Sequence, residues 1–177
     1  DKAIDLTKQL VNKNKMHPKL DKLISILQEE LSNNMSNKTI LFANYRSTVS
    51  ELKEEISKIN GAKPTILVGQ KGGVTQKDQI ATIKKFNQGV YNVLICTSIG
   101  EEGLSIGSLD LAIFYDHTAS EIRKIQRAGR VARIKPGKII NLITKNTLDE
   151  ALFWTSKRKE VKMHNLLNYM QKNLQKD

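Results

Sequence analysis

The eight residues Gln126-Arg127-Ala128-Gly129-Arg130-Val131-Ala132-Arg133 bring three arginines and a glycine together. Upstream, Thr118 and Glu121 have the Thr-x-x-Glu spacing of a capping box, in which a hydroxyl and a carboxylate satisfy the first free N–H groups of a helix. On a helix running from there, Gln126, Gly129, Arg130 and Arg133 fall at i, i+3, i+4 and i+7 and share one face. Arg127 lies about 100° round from it. Two guanidiniums one turn apart, beside a glycine without side-chain bulk, suit a multi-oxygen anion such as a triphosphate, because each planar fork can take two oxygens at once. A solvated basic face is the other reading of such an octamer, and the surrounding chain has to decide between them.

Holding such a stretch requires a scaffold, and the chain alternates between short apolar runs and amphipathic segments. Thr39–Ala43, Pro64–Val68, Tyr91–Cys96, Leu109–Tyr115 and Lys138–Ile143 read as strands, the last after a Pro136-Gly137 break. Between them lie helical stripes. Leu20, Leu23, Ile24, Leu27 and Leu31 follow His17-Pro18, where proline suits a first helical turn. Val49, Leu52, Ile56 and Ile59 are stopped by Asn60-Gly61. Ile80, Ile83 and Phe86 follow a cap made by Thr75 and Asp78 and end at Gly89. Leu148, Ala151, Leu152 and Trp154, behind Thr147-x-x-Glu150, are expected to dock a closing helix onto the sheet.

Strands apolar along their whole length and separated by helices imply a parallel sheet covered on both faces. The fold class is therefore α/β: a doubly wound parallel sheet of at least five strands with helices on both faces. Ligands of such sheets bind beyond the carboxyl ends of the strands. Asn44-Tyr45-Arg46, Gly69-Gln70, Thr97-Ser98 and Asp116-His117 all fall there, which a purely structural reading leaves as coincidence.

At 177 residues the chain suits one domain, and its 39% hydrophobic and 27% charged residues are those of a globular protein. A net charge of +11 points to a polyanion, nucleic acid first, against a merely solubilising lysine surface. Cys96 is the only cysteine, which excludes an intrachain disulfide, and its apolar run reads as a buried, inert thiol. His17, His117 and His164 lack ligand spacing, so no metal site is expected. No apolar run approaches the roughly 18 residues of a membrane span and no signal peptide is evident, so a soluble, cytoplasmic protein with no membrane partner is expected.

Asn44-Tyr45-Arg46, Thr97-Ser98-Ile99-Gly100-Glu101-Glu102-Gly103-Leu104 and the arginine octamer, in this order, resemble motifs IV, V and VI of the C-terminal RecA-like domain of superfamily 2 helicases. Glu-Glu-Gly-Leu narrows the resemblance to the group holding archaeal Hef, the Fanconi anaemia group M translocase, and the Dicer and innate-immune RNA helicases. His17-Pro18-Lys19-Leu20, Tyr115-Asp116 and Asp149-Glu150-Ala151 with Trp154 look most like Hef. The resemblance covers residues 17–165. It implies a helicase domain there, with 1–16 the possible end of an inserted helical domain and 166–177 a helical extension.

The resemblance implies a nucleic-acid-dependent ATPase in which Arg130 and Arg133 act as fingers on the γ-phosphate of ATP. Gln126 and Arg127 would brace the nucleotide cleft, and Gly103 and Ser105 occupy positions on its nucleotide side. Nucleic acid, expected to be branched DNA, would meet Asn44, Tyr45, Arg46, Gly69, Gln70, Thr75, Gln76, Thr97, Ser98 and Gly100. Thr75 has a sufficient role as a helix cap besides. Two departures stand out: Ser105 replaces the family's aspartate, which puts the ribose contact in doubt, and Ala132 replaces a glycine. No Gly-x-x-x-x-Gly-Lys-Thr/Ser loop occurs in these residues. ATP and Mg2+ would thus be held mainly by an N-terminal RecA-like domain of the same parent protein, and this chain by itself is expected to be inactive. An RNA helicase domain of the Dicer or sensor type, or a non-catalytic nucleic-acid-binding module, are the alternatives.

Overall fold

The computed structural model describes residues 17–69, 74–97, 106–116, 136–155 and 157–158. It contains β1 (Thr39–Phe42), β2 (Pro64–Leu67), β3 (Val93–Cys96), β4 (Leu109–Phe114) and β5 (Pro136–Asn141), all parallel, in the order β2-β3-β1-β4-β5. Three helices precede or connect them: α1 (Pro18–Asn33), α2 (Arg46–Ser57) and α3 (Gln76–Asn87). Helical turns over 148–155 form α4. The α/β class and the parallel five-stranded sheet agree with the sequence reading.

β1 lies in the middle and shows how the two faces are covered. Leu41 and Ala43 pack with Leu23, Leu27, Val49, Leu52 and Ile56 of α1 and α2, whereas Ile40 and Phe42 pack with Ile83 and Phe86 of α3. This alternation is the period of two of a strand, and burial on both sides explains why β1 and β3 read as unbroken apolar runs. Phe42 stacks on Phe114 with ring centroids 5.0 Å apart, joining β1 to β4 on the α3 side. Cys96 is buried, with its thiol donating to the Leu41 carbonyl oxygen at 3.5 Å.

Four expectations need correction. On α3, Ile80 is 54% exposed and Gln79 is buried instead. The Gln79 Nε2 donates to the Val68 carbonyl oxygen at 2.8 Å, so a hydrogen bond to the end of β2 decides which face turns inward. Second, α4 does not dock through Leu148, Ala151, Leu152 and Trp154, which are all exposed. It is tied down through Asp149, with Phe153 half-buried beside it. Third, Pro136-Gly137 is the start of β5 rather than a break before it. Proline is tolerated at the first residue of an edge strand because it owes no ladder donor there. A Cβ on Gly137 would meet the Asp110 carbonyl oxygen at 3.2 Å, which explains the glycine. Last, β3 begins at Val93 rather than Tyr91, because the Asn92 side chain ends the preceding turn. Its Oδ1 accepts from the Lys63 N–H, and its Nδ2 donates to the carbonyls of Met35 and Gly61.

Candidate nucleic-acid interface

Because Phe42 pairs in register with Cys96 and with Phe114, and Leu67 with Cys96, the strands end level with one another. Asn44, Gly69, Thr97 and Asp116 therefore line one edge of the sheet, as predicted for its carboxyl side. A cavity of about 330 Å3 among Met35, Lys38, Lys63, Tyr91 and Asn92 lies at the opposite edge and includes none of the predicted site residues.

At the end of β1, Asn44 is half-buried while Tyr45 and Arg46 are exposed, Tyr45 to 68%. Tyr45 is the N-cap of α2 but makes no side-chain cap, and the first turn carries no acidic residue. The leading N–H groups of α2 thus keep the positive end of the helix dipole unneutralised, with a guanidinium beside it, and that suits a phosphate. The Arg46 Nη2 donates to the Gly69 carbonyl oxygen at 2.5 Å, joining the loop after β1 to the one after β2 across β3. Thr97, half-buried at the end of β3, sits in the strand between them.

The start of α3 differs. Thr75 and Asp78 form a reciprocal capping box: the Asp78 N–H donates to Thr75 Oγ1 at 3.2 Å, and the Thr75 N–H donates to Asp78 Oδ2 at 3.0 Å. The Thr75 hydroxyl also donates to Asp78 Oδ2 at 2.6 Å, and this bond, ahead of the backbone one, holds the Asp78 carboxyl below its ordinary range. Thr75 and Gln76 are exposed on the same edge, but a carboxylate already neutralises this helix end, which suits an anion less well than the start of α2.

Asp116 falls at a strand end as expected, but the sequence assigns no contact to its carboxylate and does not show that Lys19 and Asp149 surround it. Asp116 Oδ2 accepts from the Asn44 N–H at 2.8 Å. Lys19 Nζ is 4.0 Å from Asp116 Oδ1, 2.6 Å from Asp149 Oδ2, and 5.1 Å from the centre of the Tyr115 ring. Burial first, then the charges of Asp116, Glu51 and Asp149, push the Tyr115 phenol up to about 12. Lys19 and Asp149 stand out in the sequence only through the resemblance, and Asp116 through its strand-end position; their meeting in space is not readable from residues up to 130 positions apart.

Gln70, Ser98, Gly100, Gly103, Ser105, Gln126, Arg127, Arg130 and Arg133 lie outside the described residues, as do residues 1–16 and 159–177. The residues expected to meet ATP are all among these. Among the described residues no cluster of His, Cys, Asp or Glu could hold a metal, and no helix is long and apolar enough to cross a membrane.

The all-parallel five-stranded sheet with helices on both faces is that of a RecA-like α/β domain, a class whose ligands lie beyond the carboxyl ends of the strands. The chain belongs to the helicase conserved C-terminal domain family, whose model matches residues 18–135. It is similar to the Hef helicase domain of Pyrococcus furiosus, with 42% identity and a TM-score of 0.74, covering 88% of this chain and 32% of that one. It is 42% identical over 137 residues to the ATP-dependent DNA helicase mph1 of Neurospora crassa, covering 73% of this chain and 12% of the relative. It is also 38% identical over 174 residues to MJ1505 of Methanocaldococcus jannaschii, a provisionally named ATP-dependent RNA helicase, covering 96% and 22%. The chain thus spans about a third or less of the length of each of these relatives.

Proposed function

We propose that this chain is the second motor domain of an ATP-dependent DNA helicase or translocase acting on branched or forked DNA, paired with an N-terminal RecA-like domain that holds ATP and Mg2+. The observation that carries this reading is the grouping of Asn44, Tyr45, Arg46, Gly69 and Thr97 along the strand-end edge of a helicase-family domain. A phosphate backbone laid along that edge would meet hydroxyl and N–H donors and one guanidinium, the groups that position a strand without reading its bases. Ser98, Gly100, Gln70, Thr75 and Gln76 extend the same surface in this reading. The name of the mph1 relative favours DNA.

Arg130 and Arg133 are assigned as fingers toward the transferring phosphoryl group, with Gln126, Arg127, Gly103 and Ser105 on the nucleotide side of the cleft. A planar cation there stabilises charge spreading over the phosphoryl oxygens, typically by about 10³–10⁵ in rate. Closing of the cleft would then couple hydrolysis to a shift of the grip on the strand. The assignment is tested by Arg130→Ala in the full-length protein, which should abolish DNA-stimulated ATPase while DNA binding survives. Unchanged ATPase rejects the finger role.

The name of the Methanocaldococcus relative favours a second reading, an RNA-directed motor. Stimulation of ATPase by forked DNA and by duplex RNA, compared side by side, separates the two. No stimulation by either points instead to a non-catalytic binding module.

A further inference from the structure

We propose that Lys19 is a positioning residue for the nucleic-acid edge. Through Asp116 it holds the main chain of Asn44, and with it the presentation of Tyr45 and Arg46. This rests on the reading of that segment as a nucleic-acid contact.

The argument starts where β1 and β4 separate. The Tyr115 N–H donates to the Phe42 carbonyl oxygen at 2.8 Å, and the Asp116 N–H reaches the same oxygen at 3.4 Å. Two residues past Phe42, the Asn44 N–H donates to the Asp116 carboxylate rather than to a strand carbonyl. A side chain thus bridges the splayed strands and fixes the backbone that leads into α2. An ionised acceptor makes this bond stronger than a neutral one, provided that the carboxylate keeps its place.

What keeps it there is Lys19. The Asp116 side chain is mostly shielded from water, and a shielded carboxylate needs a compensating charge. The Lys19 side chain is only 9% exposed, so its ammonium is confined rather than solvated at the end of a free stem. It faces both Asp116 and Asp149, and Asp149 Oδ2 also accepts from the Thr144 N–H at 3.1 Å. One ammonium therefore joins the first turn of α1, the end of β4 and the first turn of α4. Without it, Asp116 and Asp149 would lose their shared counter-charge beside the Tyr115 ring, and Asp116, past the end of β4, would lose the charge that draws it to this position. Its departure would release the Asn44 N–H, and the start of α2 would no longer be held against the strand end.

Nucleic-acid-stimulated ATPase of the full-length protein, titrated with a forked DNA, tests the proposal. Lys19→Met should raise the half-saturating DNA concentration about tenfold with kcat at saturation nearly unchanged, as expected for a displaced binding group. Lys19→Arg, which keeps the charge, should recover most of the loss. Asp116→Asn, which keeps an oxygen for the Asn44 N–H but loses the charge, should shift the half-saturating concentration in the same direction and less; it also decides the matter if Lys19→Met does not fold. A merely structural lysine would lower the melting temperature of folded variants without moving half-saturation, and that result overturns the proposal. Arg46→Ala separates the two levels. If it weakens DNA response while the Lys19 and Asp116 variants do not, the positioning role fails alone; if none of the three changes the response, the nucleic-acid reading fails as well.

Discussion

Arg46 has two demands on one guanidinium. Its Nη2 holds the Gly69 carbonyl oxygen, and its other N–H donors point from an exposed side chain at a helix start. Lysine would keep the charge but not the fork, so it could not hold the carbonyl and a phosphate together. Arg46→Lys is accordingly expected to weaken nucleic-acid binding about three- to tenfold in a direct titration, roughly as a lost bidentate contact would. Tyr115 offers a separate check of the ion cluster. Its phenol is pushed up to about 12 from an ordinary 10.0 by burial and by neighbouring carboxylates. Because the folded state holds the proton more tightly, this group's contribution to stability is intact below pH 10 and is lost as pH rises through about 12. Tyr115→Phe removes that titration. Denaturant melts of the two proteins from about pH 9 upward should show the wild type losing ground to the variant only above about pH 10; parallel curves would mean that the phenol is not held in a desolvated, acidic setting.

At the scale of elements, glycines distinguish packing from binding. Gly137 has a carbonyl of the neighbouring strand 3.2 Å from where its Cβ would lie, and that carbonyl belongs to β4, which is paired on both sides. Gly137→Ala should therefore cost about 1 kcal/mol of stability, read by chemical denaturation, since β4, held between β1 and β5, cannot give way freely. A Cβ added at Gly69 would meet nothing within 4 Å, so Gly69→Ala should fold with stability within about 0.5 kcal/mol of wild type. Any loss of nucleic-acid binding in that variant then reports close approach of a strand to the main chain. The contrast also shows what was legible beforehand. The central strands β1 and β3 could be read because burial on both faces leaves apolar runs, and the Thr75–Asp78 cap because both partners are local. Ile83 and Phe86 of α3 turn inward as read, but its first turn could not be read, because a Gln79 bond to the end of β2 outweighs the apolar Ile80. The docking of α4 escaped for a similar reason: an aspartate paired with Lys19 does the work expected of Leu148, Leu152 and Trp154. The strand-end placement of Asn44, Gly69, Thr97 and Asp116 is readable from position alone, whereas the Lys19–Asp116–Asp149 cluster is a product of the tertiary fold.

For the molecule as a whole, the net charge of +11 raises the question of whether nucleic acid would be held by a diffuse basic surface or by the strand-end edge. Salt dependence distinguishes them. Each phosphate neutralised on a single strand contributes about −0.7 to the slope of log affinity against log salt. Lysines scattered over many faces, such as Lys22, Lys53, Lys77 and Lys85, cannot all meet one strand, so the formal charge overstates the contacts made. Each charged contact that does reach the strand makes affinity fall about 2.6-fold between 50 and 200 mM salt. Arg46→Ala should then flatten the slope by about 0.7 and weaken binding similarly for different base sequences, because phosphate contacts carry no sequence information. Lys53→Ala, on the exposed side of α2, should leave the slope almost unchanged. Equal flattening by both substitutions would mean that the charge acts as a diffuse cloud, and the strand-end edge would lose its claim to be where the strand lies.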